Sequence, residues 1–252
     1  MTQTMTRTVT RTTDLPKTGL HRIDLHLHTE ASFDCVVPLP PLLERLIETG
    51  VTVQAVTDHN EIWAAQKLQR LADERRRTDP RTPQVIVGEE VSTREGEIIG
   101  LFLREVIPRD LSPEETVTRI KAQGGLVLLP HGFDPLKKKR LTPDALGRIA
   151  EHIDLVETFN ARISRPRWNR AGTAWADLRG LPQSAGSDAH TLADVGDAWV
   201  ETPVMDVSTP AGLLAALRSG TVTGKWTHPL LAFAYKVYDS GFAITKRYVT
   251  GR

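Results

Sequence analysis

Short apolar runs alternate with amphipathic stretches along most of this chain. The apolar runs are rich in Val, Ile and Leu and are as short as buried strands usually are. The stretches between them place apolar residues three and four positions apart, which is typical of a helix with one buried face. The predicted strands are "HRIDLHL", "VTVQAVT", "QVIVGEEVS", "EIIGLFL", "LVLLP", "IDLVETF", "LPQSAGSD" and "AWVET". The predicted helices are "PPLLERLIETG", "EIWAAQKLQRLADERRR", "SPEETVTRIKAQGG", "TPDALGRIAEH", "WNRAGTAWADLRG" and "STPAGLLAALRSG".

Local signals at the ends of these segments support the helices. Prolines open the first helix and Gly50 follows it, which is the usual order of these residues around a helix. Ser112 with Glu115 forms a capping box, and Thr142 before Pro143 is a second N-cap. Because strands and helices alternate, we expect mostly parallel strands with the helices outside, as an open sheet or a barrel.

The pattern predicts one α/β domain over residues 20–252, because no linker rich in Pro, Gly or Ser divides it. Residues 1–19 are rich in Thr and almost without large apolar side chains, and we interpret them as a disordered tail. Residues 225–252 contain aromatic side chains and form a C-terminal extension whose place in the fold the pattern does not predict.

Composition narrows the class of protein. A formal net charge of +1 over 252 residues argues against binding of nucleic acid through bulk charge. The single cysteine, Cys35, excludes an internal disulfide and a cysteine-based zinc cluster, and it suits a reducing cytoplasm. No apolar run approaches a membrane span, and the first residues lack the hydrophobic core of a signal peptide. We therefore expect a cytoplasmic protein with no membrane partner.

Potential metal ligands stand where the predicted strands end. In a parallel α/β barrel these ends converge on one mouth, where active sites are built. Any single histidine is more often a structural residue, but the repetition from strand to strand favours a metal site. The residues are His26 and His28, Asp58 and His59, Glu89 and Glu90, His131, Glu157 and Asn160, and Asp188 and His190.

The ligand set mixes imidazole and carboxylate groups and contains no thiolate. Such a set suits Zn²⁺, Mn²⁺ or Fe and holds too much nitrogen for a typical Mg²⁺ or Ca²⁺ site. One carboxylate among several can bridge two ions roughly 3.5–4 Å apart, and bound water then ionises near neutral pH. The chain has no G-x-S-x-G elbow and Cys35 has no evident nucleophilic role, so hydroxide is the expected nucleophile.

The sequence resembles the PHP family, which is named for polymerase and histidinol phosphatase domains. The segments that carry the resemblance are "DLHLHTEASFD", "AVTDHN", "VGEEVS", "LPHGF" and "GSDAH", in the family's order. The resemblance implies an α/β fold, a distorted (β/α)7 barrel with the metal site at the C-terminal strand ends. It also implies two or three divalent metal ions and a metal-dependent phosphoesterase or phosphatase activity.

Carried over residue by residue, the resemblance divides the ligands among the ions. The first ion would take His26, His28, Glu90 and Asp188. Glu90 would bridge to a second ion that also uses His131, and a third ion would take Asp34, His59 and His190. Strand alternation lets only one of Glu89 and Glu90 point into the mouth, and the family's pattern selects Glu90.

One position departs from the family's pattern. Relatives that hydrolyse small phosphate esters usually have a histidine in the strand after Glu90, whereas "EIIGL" places Glu97 there. Either Glu97 is a metal ligand, which adds negative charge and weakens the preference for zinc, or it is not. In the second case the second ion binds weakly or its site is empty.

The residues around the first two histidines carry two further predictions. Within "DLHLH", alternation places His26 and His28 on one face, with Leu25 and Leu27 against the other layer. Metal-bound imidazoles usually donate their second N–H to a carboxylate or a carbonyl group. Asp24 and Asp58, each beside a proposed ligand, are the candidates to accept these hydrogen bonds.

A mouth that holds cations attracts anions, so phosphate esters are the expected substrates. Arg162, in "ETFNARISRPRWNR", is the arginine nearest to the predicted mouth, and arginine pairs with phosphate through parallel hydrogen bonds. The predicted catalytic residues are Arg162, Asp188 and His190. The lysines of "LKKKR" could meet a second phosphate, although a charged loop is usually only solvated.

The leading hypothesis is a metal-dependent phosphoesterase that acts on a nucleotide or another small phosphorylated metabolite. A nuclease is the nearest alternative, and the near-neutral charge favours a small substrate over nucleic acid. An amide or ester hydrolase could use the same metal site. A non-catalytic, metal-stabilised scaffold is the alternative from another class.

Overall fold

The computed structural model describes residues 19–234 and residue 237. The predicted disordered tail, apart from Gly19, and the larger part of the C-terminal extension lie outside these described residues. The strands are β1 (Leu20–Asp24), β2 (Val53–Val56), β3 (Gln84–Thr93), β4 (Gly96–Leu101), β5 (Leu126–Leu129), β6 (Leu155–Asn160), β7 (Gln183–Gly186), β8 (Ala198–Pro203) and β9 (Thr221–Gly224). The helices are α1 (Leu39–Thr49), α2 (Trp63–Arg76), α3 (Pro113–Ala122), α4 (Pro143–Ile149), α5 (Pro166–Arg179) and α6 (Pro210–Arg218), with a 3₁₀ helix at Ala150–His152.

The helix ends follow the signals in the sequence. Gly50 ends α1 with a φ of 71°, a conformation that glycine adopts without a steric cost. Ser112 Oγ accepts a hydrogen bond from Glu115 N at 3.1 Å and so caps α3. Thr142 caps α4 in the same way. The pattern does not predict β9, a mostly exposed strand that pairs with β8.

The strands form one sheet in the order β7-β6-β5-β4-β3-β2-β1-β8-β9. The pairs β1–β2, β2–β3, β5–β6 and β6–β7 are parallel, as the alternation of strands and helices predicts. β4 follows β3 through a tight turn with no helix between them, and it is therefore antiparallel to β3 and also to β5. β8 and β9 extend the sheet beyond β1 as antiparallel strands.

The barrel closes where the chain after β1 meets β7. β8 occupies the other edge of β1 only as far as Ile23. Beyond that residue, Leu25 N donates to the Ala185 carbonyl at 3.0 Å, and Asp188 N donates to the His26 carbonyl at 2.9 Å. A parallel bridge between residues 27 and 189 continues this pairing, which we call the seam. β1 to β7 therefore form the distorted (β/α)7 barrel that the family resemblance implies.

The alternation of side chains fails after Asp24. Asp24 Oδ1 accepts a hydrogen bond from His26 N at 3.1 Å, and β1 ends there. Leu25 packs with Ile23 among the apolar side chains of the sheet, whereas Leu27 packs with side chains of α1 and α2. The prediction that Leu25 and Leu27 share one layer is wrong, because the regular strand is shorter than its apolar pattern. Among the described residues, no helix combines the length and apolar character needed to cross a membrane.

Candidate metal centre

The structure brings together every residue that the resemblance assigns to an ion, and Glu97 with them. Each belongs to at least one group whose ligand atoms all lie within 4.8 Å of one another. Positive φ angles at His131 (27°) and Asp188 (50°) turn the chain sharply after β5 and β7, and such angles are uncommon for residues with a Cβ. The groups are His26–His28–Asp188, His26–Glu90–His131, His59–Glu90–Glu97 and His28–Asp34–His59–His190.

The imidazoles of His26 and His28 face each other through their Nε2 atoms, 3.1 Å apart. His26 Nδ1 donates to Glu157 Oε1 at 2.9 Å, because an ionised carboxylate can only accept. Burial lowers the pKa of His26, but Glu157 and Glu90 outweigh it and hold this pKa well above its ordinary value. The surroundings of the two Nε2 atoms therefore favour a positive charge between them.

A chain of hydrogen bonds determines which ring nitrogen of His28 carries the proton. Ser32 Oγ donates to Asp58 Oδ1 at 2.9 Å, so it can only accept from His28 Nδ1, which lies 3.0 Å away. Asp58 also accepts from Thr29 N at 2.6 Å and from the Thr29 hydroxyl at 2.7 Å. Burial and His190 lower the pKa of His28. The neutral ring thus carries its proton on Nδ1 and presents a lone pair from Nε2 to the mouth.

Two buried carboxylates face the lone pair of His28 Nε2. Asp188 Oδ1 lies 3.5 Å and Glu90 Oε2 lies 3.4 Å from His28 Nε2. Burial raises the pKa of Asp188, but Lys137 and His26 outweigh it and hold this pKa well below its usual range. Burial likewise raises the pKa of Glu90, and His26 and other histidines bring it well below its usual range. Both side chains are anions at neutral pH.

A second set of acceptors meets at His190. His190 Nδ1 donates to the Asp188 carbonyl at 2.8 Å, and its Nε2 lies 3.0 Å from Asp34 Oδ2. Burial lowers the pKa of His190, which leaves a lone pair on Nε2 opposite a carboxylate oxygen. His59 Nε2 lies 3.9 Å from the other oxygen of Asp34. Acceptors that face each other in this way repel unless a cation lies between them, so this donor set fits a metal ion.

Glu97 lies beside the shared carboxylate Glu90. Glu97 Oε1 is 3.4 Å from His59 Nδ1, and Glu97 Oε2 is 3.9 Å from His131 Nε2. Burial and the neighbouring Glu90 raise the pKa of Glu97 to about 9. His59 Nδ1 is buried and makes no hydrogen bond with any residue that the structure describes. Glu97 Oε1 forms an ion pair with Lys139 Nζ at 3.4 Å. A divalent ion would satisfy His59 Nδ1, so the residues on this side fit a metal as well.

Glu89, the neighbour of Glu90, turns away from the mouth as strand alternation predicts. Its Oε2 atom accepts a hydrogen bond from Ile107 N at 2.8 Å, in the segment before α3. The side chain is fully buried, and burial raises its pKa to about 8. Glu89 is therefore a structural carboxyl that stays protonated at neutral pH.

The hydrogen-bond partners of the histidines differ from those predicted. Asp24 does not contact an imidazole nitrogen; it accepts from the backbone N of His26 and of Ser187, both at 3.1 Å. Glu157 takes the place predicted for Asp24, and Asp58 reaches His28 only through Ser32. The position of Glu157 at a strand end is a sequence signal for this role, whereas that of Ser32, in a loop, carries no such signal.

A cavity of about 890 Å³ opens beside the ligand groups. Arg162, the predicted phosphate anchor, lines it and donates from one terminal nitrogen to the Asp188 carbonyl at 3.2 Å. Lys137, from the charged loop, lines it too and donates to Asp188 Oδ2 at 2.6 Å. Further lining residues are Arg165, Arg167, Arg170, Pro166, Trp226 and Pro229. The wall is thus cationic with apolar patches.

Cys35 is buried, and its thiol donates to the His190 carbonyl at 3.4 Å.

Family models match most of the barrel. The model described as PHP domain matches residues 24–156, and the model described as PHP-associated matches residues 166–222. Two uncharacterised proteins of Methanocaldococcus jannaschii are similar in sequence. One is 40% identical over 152 residues, which are 56% of this chain and 82% of the relative. The other is 31% identical over 195 residues, which are 76% of this chain and 75% of the relative.

Solved structures share the fold at low sequence identity. A two-domain protein from Bacteroides vulgatus, described as containing a predicted PHP-like metal-dependent phosphoesterase, matches with a TM-score of 0.65 and 16% identity. The match covers 82% of this chain and 65% of that one, so this chain spans less than two thirds of it. An amidohydrolase from Chromobacterium violaceum has a TM-score of 0.55 at 16% identity, covering 75% and 93% of the two chains. A lesion-specific endonuclease from Pyrococcus furiosus has a TM-score of 0.56 at 17% identity, covering 81% and 57%.

Proposed function

The chain belongs to the PHP domain family, and we propose that it is a metal-dependent phosphoesterase that hydrolyses a phosphate ester of a nucleotide or another small metabolite. The observation that carries the proposal is the place of Glu90 in two candidate ligand groups at once. A carboxylate in that position can bridge two ions, as in two-metal hydrolytic sites. The mixed imidazole and carboxylate set suits two or three divalent ions, of Zn, Mn or Fe.

Ions held by these residues would supply a hydroxide nucleophile at neutral pH and polarise the phosphoryl oxygens. The side chains of the protein orient the metal ligands and bind the substrate. Glu157 and Ser32 hold the rings of His26 and His28, so that their Nε2 atoms point into the mouth. Arg162 commits one N–H to the Asp188 carbonyl and keeps further donors for a phosphoryl oxygen.

The cavity beside Arg162 supports a small substrate. Its volume of about 890 Å³ lies within the range of roughly 300–1,000 Å³ that small-molecule sites occupy. Its cationic side chains suit a negatively charged leaving group, and Trp226 and Pro229 offer apolar contact to a ring.

A nuclease is the second candidate. Arg165, Arg167 and Arg170 continue the cationic wall beyond Arg162, and a nucleic-acid backbone would find several phosphate contacts there. The fold is also that of the Pyrococcus furiosus endonuclease. The net charge of +1 argues for the small substrate.

The proposal is tested with purified protein, loaded with Mn²⁺ or Zn²⁺ after its bound metal has been measured. A generic phosphomonoester, a phosphodiester, a single-stranded oligonucleotide and an ester are offered under identical conditions. We expect the phosphomonoester to be hydrolysed fastest. Faster turnover of the oligonucleotide would establish the nuclease instead, and turnover of the ester alone would establish a different hydrolase.

A pair of histidine variants separates chemistry from folding. His28→Ala is expected to lose bound metal and about 10³-fold in kcat/KM, because it removes a ligand shared by two candidate groups. His152→Ala, at an exposed histidine of the 3₁₀ helix, is the matched control and should change neither. Tightly bound metal without turnover of any substrate, together with normal folding of His28→Ala, would contradict the proposed enzymatic function.

A further inference from the structure

Lys137 enters the mouth because the loop that carries it is anchored on a neighbouring loop. The buried side chain of Asp134 accepts hydrogen bonds from Ser164 N through Oδ2 and from the Ser164 hydroxyl through Oδ1, both at 2.7 Å. Asp134 Oδ1 also accepts from Leu136 N at 3.0 Å. The loop after β5 is therefore fixed to the segment between β6 and α5. Lys137 follows this anchor directly and extends over Asp188.

The two oxygens of Asp188 have different partners. Oδ2 accepts from Lys137 Nζ at 2.6 Å and from Asn160 Nδ2 at 3.2 Å. Oδ1 faces the Nε2 atoms of His28 and His26 at 3.5 and 3.8 Å. The oxygen that faces the histidines is thus free to bind an ion while the other stays with the protein. Lys137 can keep its contact when the cluster is loaded.

The ammonium group of Lys137 retains donors for a ligand. An ammonium carries three N–H groups, and Asp188 Oδ2 occupies one. The side chain is 29% exposed and lines the cavity together with Arg162, which binds the backbone carbonyl of the same aspartate. Two cations therefore flank Asp188 at the border between the ligand groups and the cavity. Positioned cations that meet the charge of a phosphoryl group are a recurrent source of transition-state stabilisation.

We propose that Lys137 is a catalytic residue that donates a hydrogen bond to a phosphoryl oxygen of the substrate while it holds Asp188 Oδ2. With Arg162 it forms a clamp for a phosphate group bound between the metal cluster and the cavity. The proposal rests on the proposed phosphoesterase function for its effect on turnover. Its effect on anion binding is independent of turnover.

The test measures binding of inorganic phosphate to the Mn²⁺-loaded protein by calorimetry, alongside metal content and kcat/KM for p-nitrophenyl phosphate. Lys137→Met is expected to raise the Kd for phosphate at least tenfold and to lower kcat/KM by about 10²-fold, with metal content unchanged. Lys67→Met is the matched control, since Lys67 is an exposed lysine of α2 that belongs neither to the charged loop nor to the cavity wall. It should behave as the unsubstituted protein.

Lys137→Gln provides a second test in case the methionine variant does not fold. Glutamine keeps a hydrogen-bond donor for Asp188 but lacks the positive charge. It should weaken phosphate binding as Lys137→Met does. Unchanged phosphate affinity, absence of phosphate binding to the unsubstituted protein, or a loss of bound metal that accounts for the lost activity would each overturn the role of Lys137. If the unsubstituted protein binds phosphate without turning over any ester, and Lys137→Met weakens that binding, the clamp stands and the proposed phosphoesterase function fails.

Discussion

The two sides of the mouth satisfy their polar atoms differently. On the seam side, the Nδ1 atoms of His26, His28 and His190 are hydrogen-bonded to Glu157, Ser32 and a backbone carbonyl, respectively. On the opposite side, near the β3–β4 hairpin, the Nδ1 atoms of His59 and His131 are buried without a hydrogen bond to any described residue. The seam side is therefore preorganised, and the hairpin side relies on its ion for order.

This difference predicts two classes of metal affinity. A ligand held in one orientation by a second hydrogen bond loses little freedom when it binds a metal, and such partners contribute 10- to 100-fold in affinity. The seam side should therefore fill first in a metal titration, and the hairpin side, with Glu97 in place of an imidazole, should fill at higher concentration. The following variants test this order.

Gly186→Ala should have the largest effect, because a Cβ at Gly186 would overlap Glu157 Oε1 and lie 2.5 Å from the Cβ of His26. The carboxylate that holds His26 would have to move. We expect the tighter class of metal to weaken by about 10- to 100-fold, measured by calorimetric titration with Mn²⁺. Gly147→Ala in α4, where a Cβ meets nothing within 4 Å, is the control and should leave both classes unchanged. Equal weakening of the two classes would contradict the distinction between the sides.

Glu97→His should have the next largest effect on metal affinity, and it should raise this affinity rather than lower it. Replacing a carboxyl whose pKa burial raises to about 9 removes the need to ionise it when metal binds, and an imidazole suits zinc better. We expect the weaker class to bind Zn²⁺ about tenfold more tightly, with little change in the tighter class. Bound zinc and its stoichiometry are measured by elemental analysis after dialysis. A variant with unchanged zinc content would show that Glu97 is not a ligand.

Glu89→Gln should have the smallest effect and leave both metal classes unchanged, because this side chain contacts Ile107 and not the mouth. The pKa of Glu89 is about 8 in the folded protein and ordinary, near 4.5, in the unfolded chain. The folded state thus holds the extra proton, and the free energy of unfolding falls as the pH rises from about 4.5 to 8. Glutamine does not titrate, so above pH 8 the variant should be more stable than the parent by roughly 1–2 kcal/mol. Urea unfolding at pH 6 and pH 9 measures this, and an equal difference at both values would contradict it.

Local patterns in the sequence were sufficient for the alternation of strands and helices and for the placement of most ligands at strand ends, whereas the barrel and the choice of Glu90 were implied by the resemblance to the PHP family. Apolar runs that end in His, Asp or Glu mark the mouth directly, and strand alternation separates Glu90 from Glu89. The partners of those ligands were not predictable in the same way. Ser32 reaches His28 because a loop folds back onto Asp58, and Lys137 reaches Asp188 because Asp134 anchors its loop on Ser164. Such contacts join segments whose spacing in the sequence carries no periodic signal.

The seam also determines the stage of folding at which the metal site is complete. His26 and His28 follow the first strand, and Asp188 follows the seventh, so one ligand group unites the two ends of the barrel. A chain that ended before β7 would contain most of the ligands but would lack Asp188, and this group would be incomplete. An ion bound by this group would link the segments that follow the first and the seventh strands, and would stabilise only the completed barrel. Tight metal binding would then indicate that the whole barrel has folded.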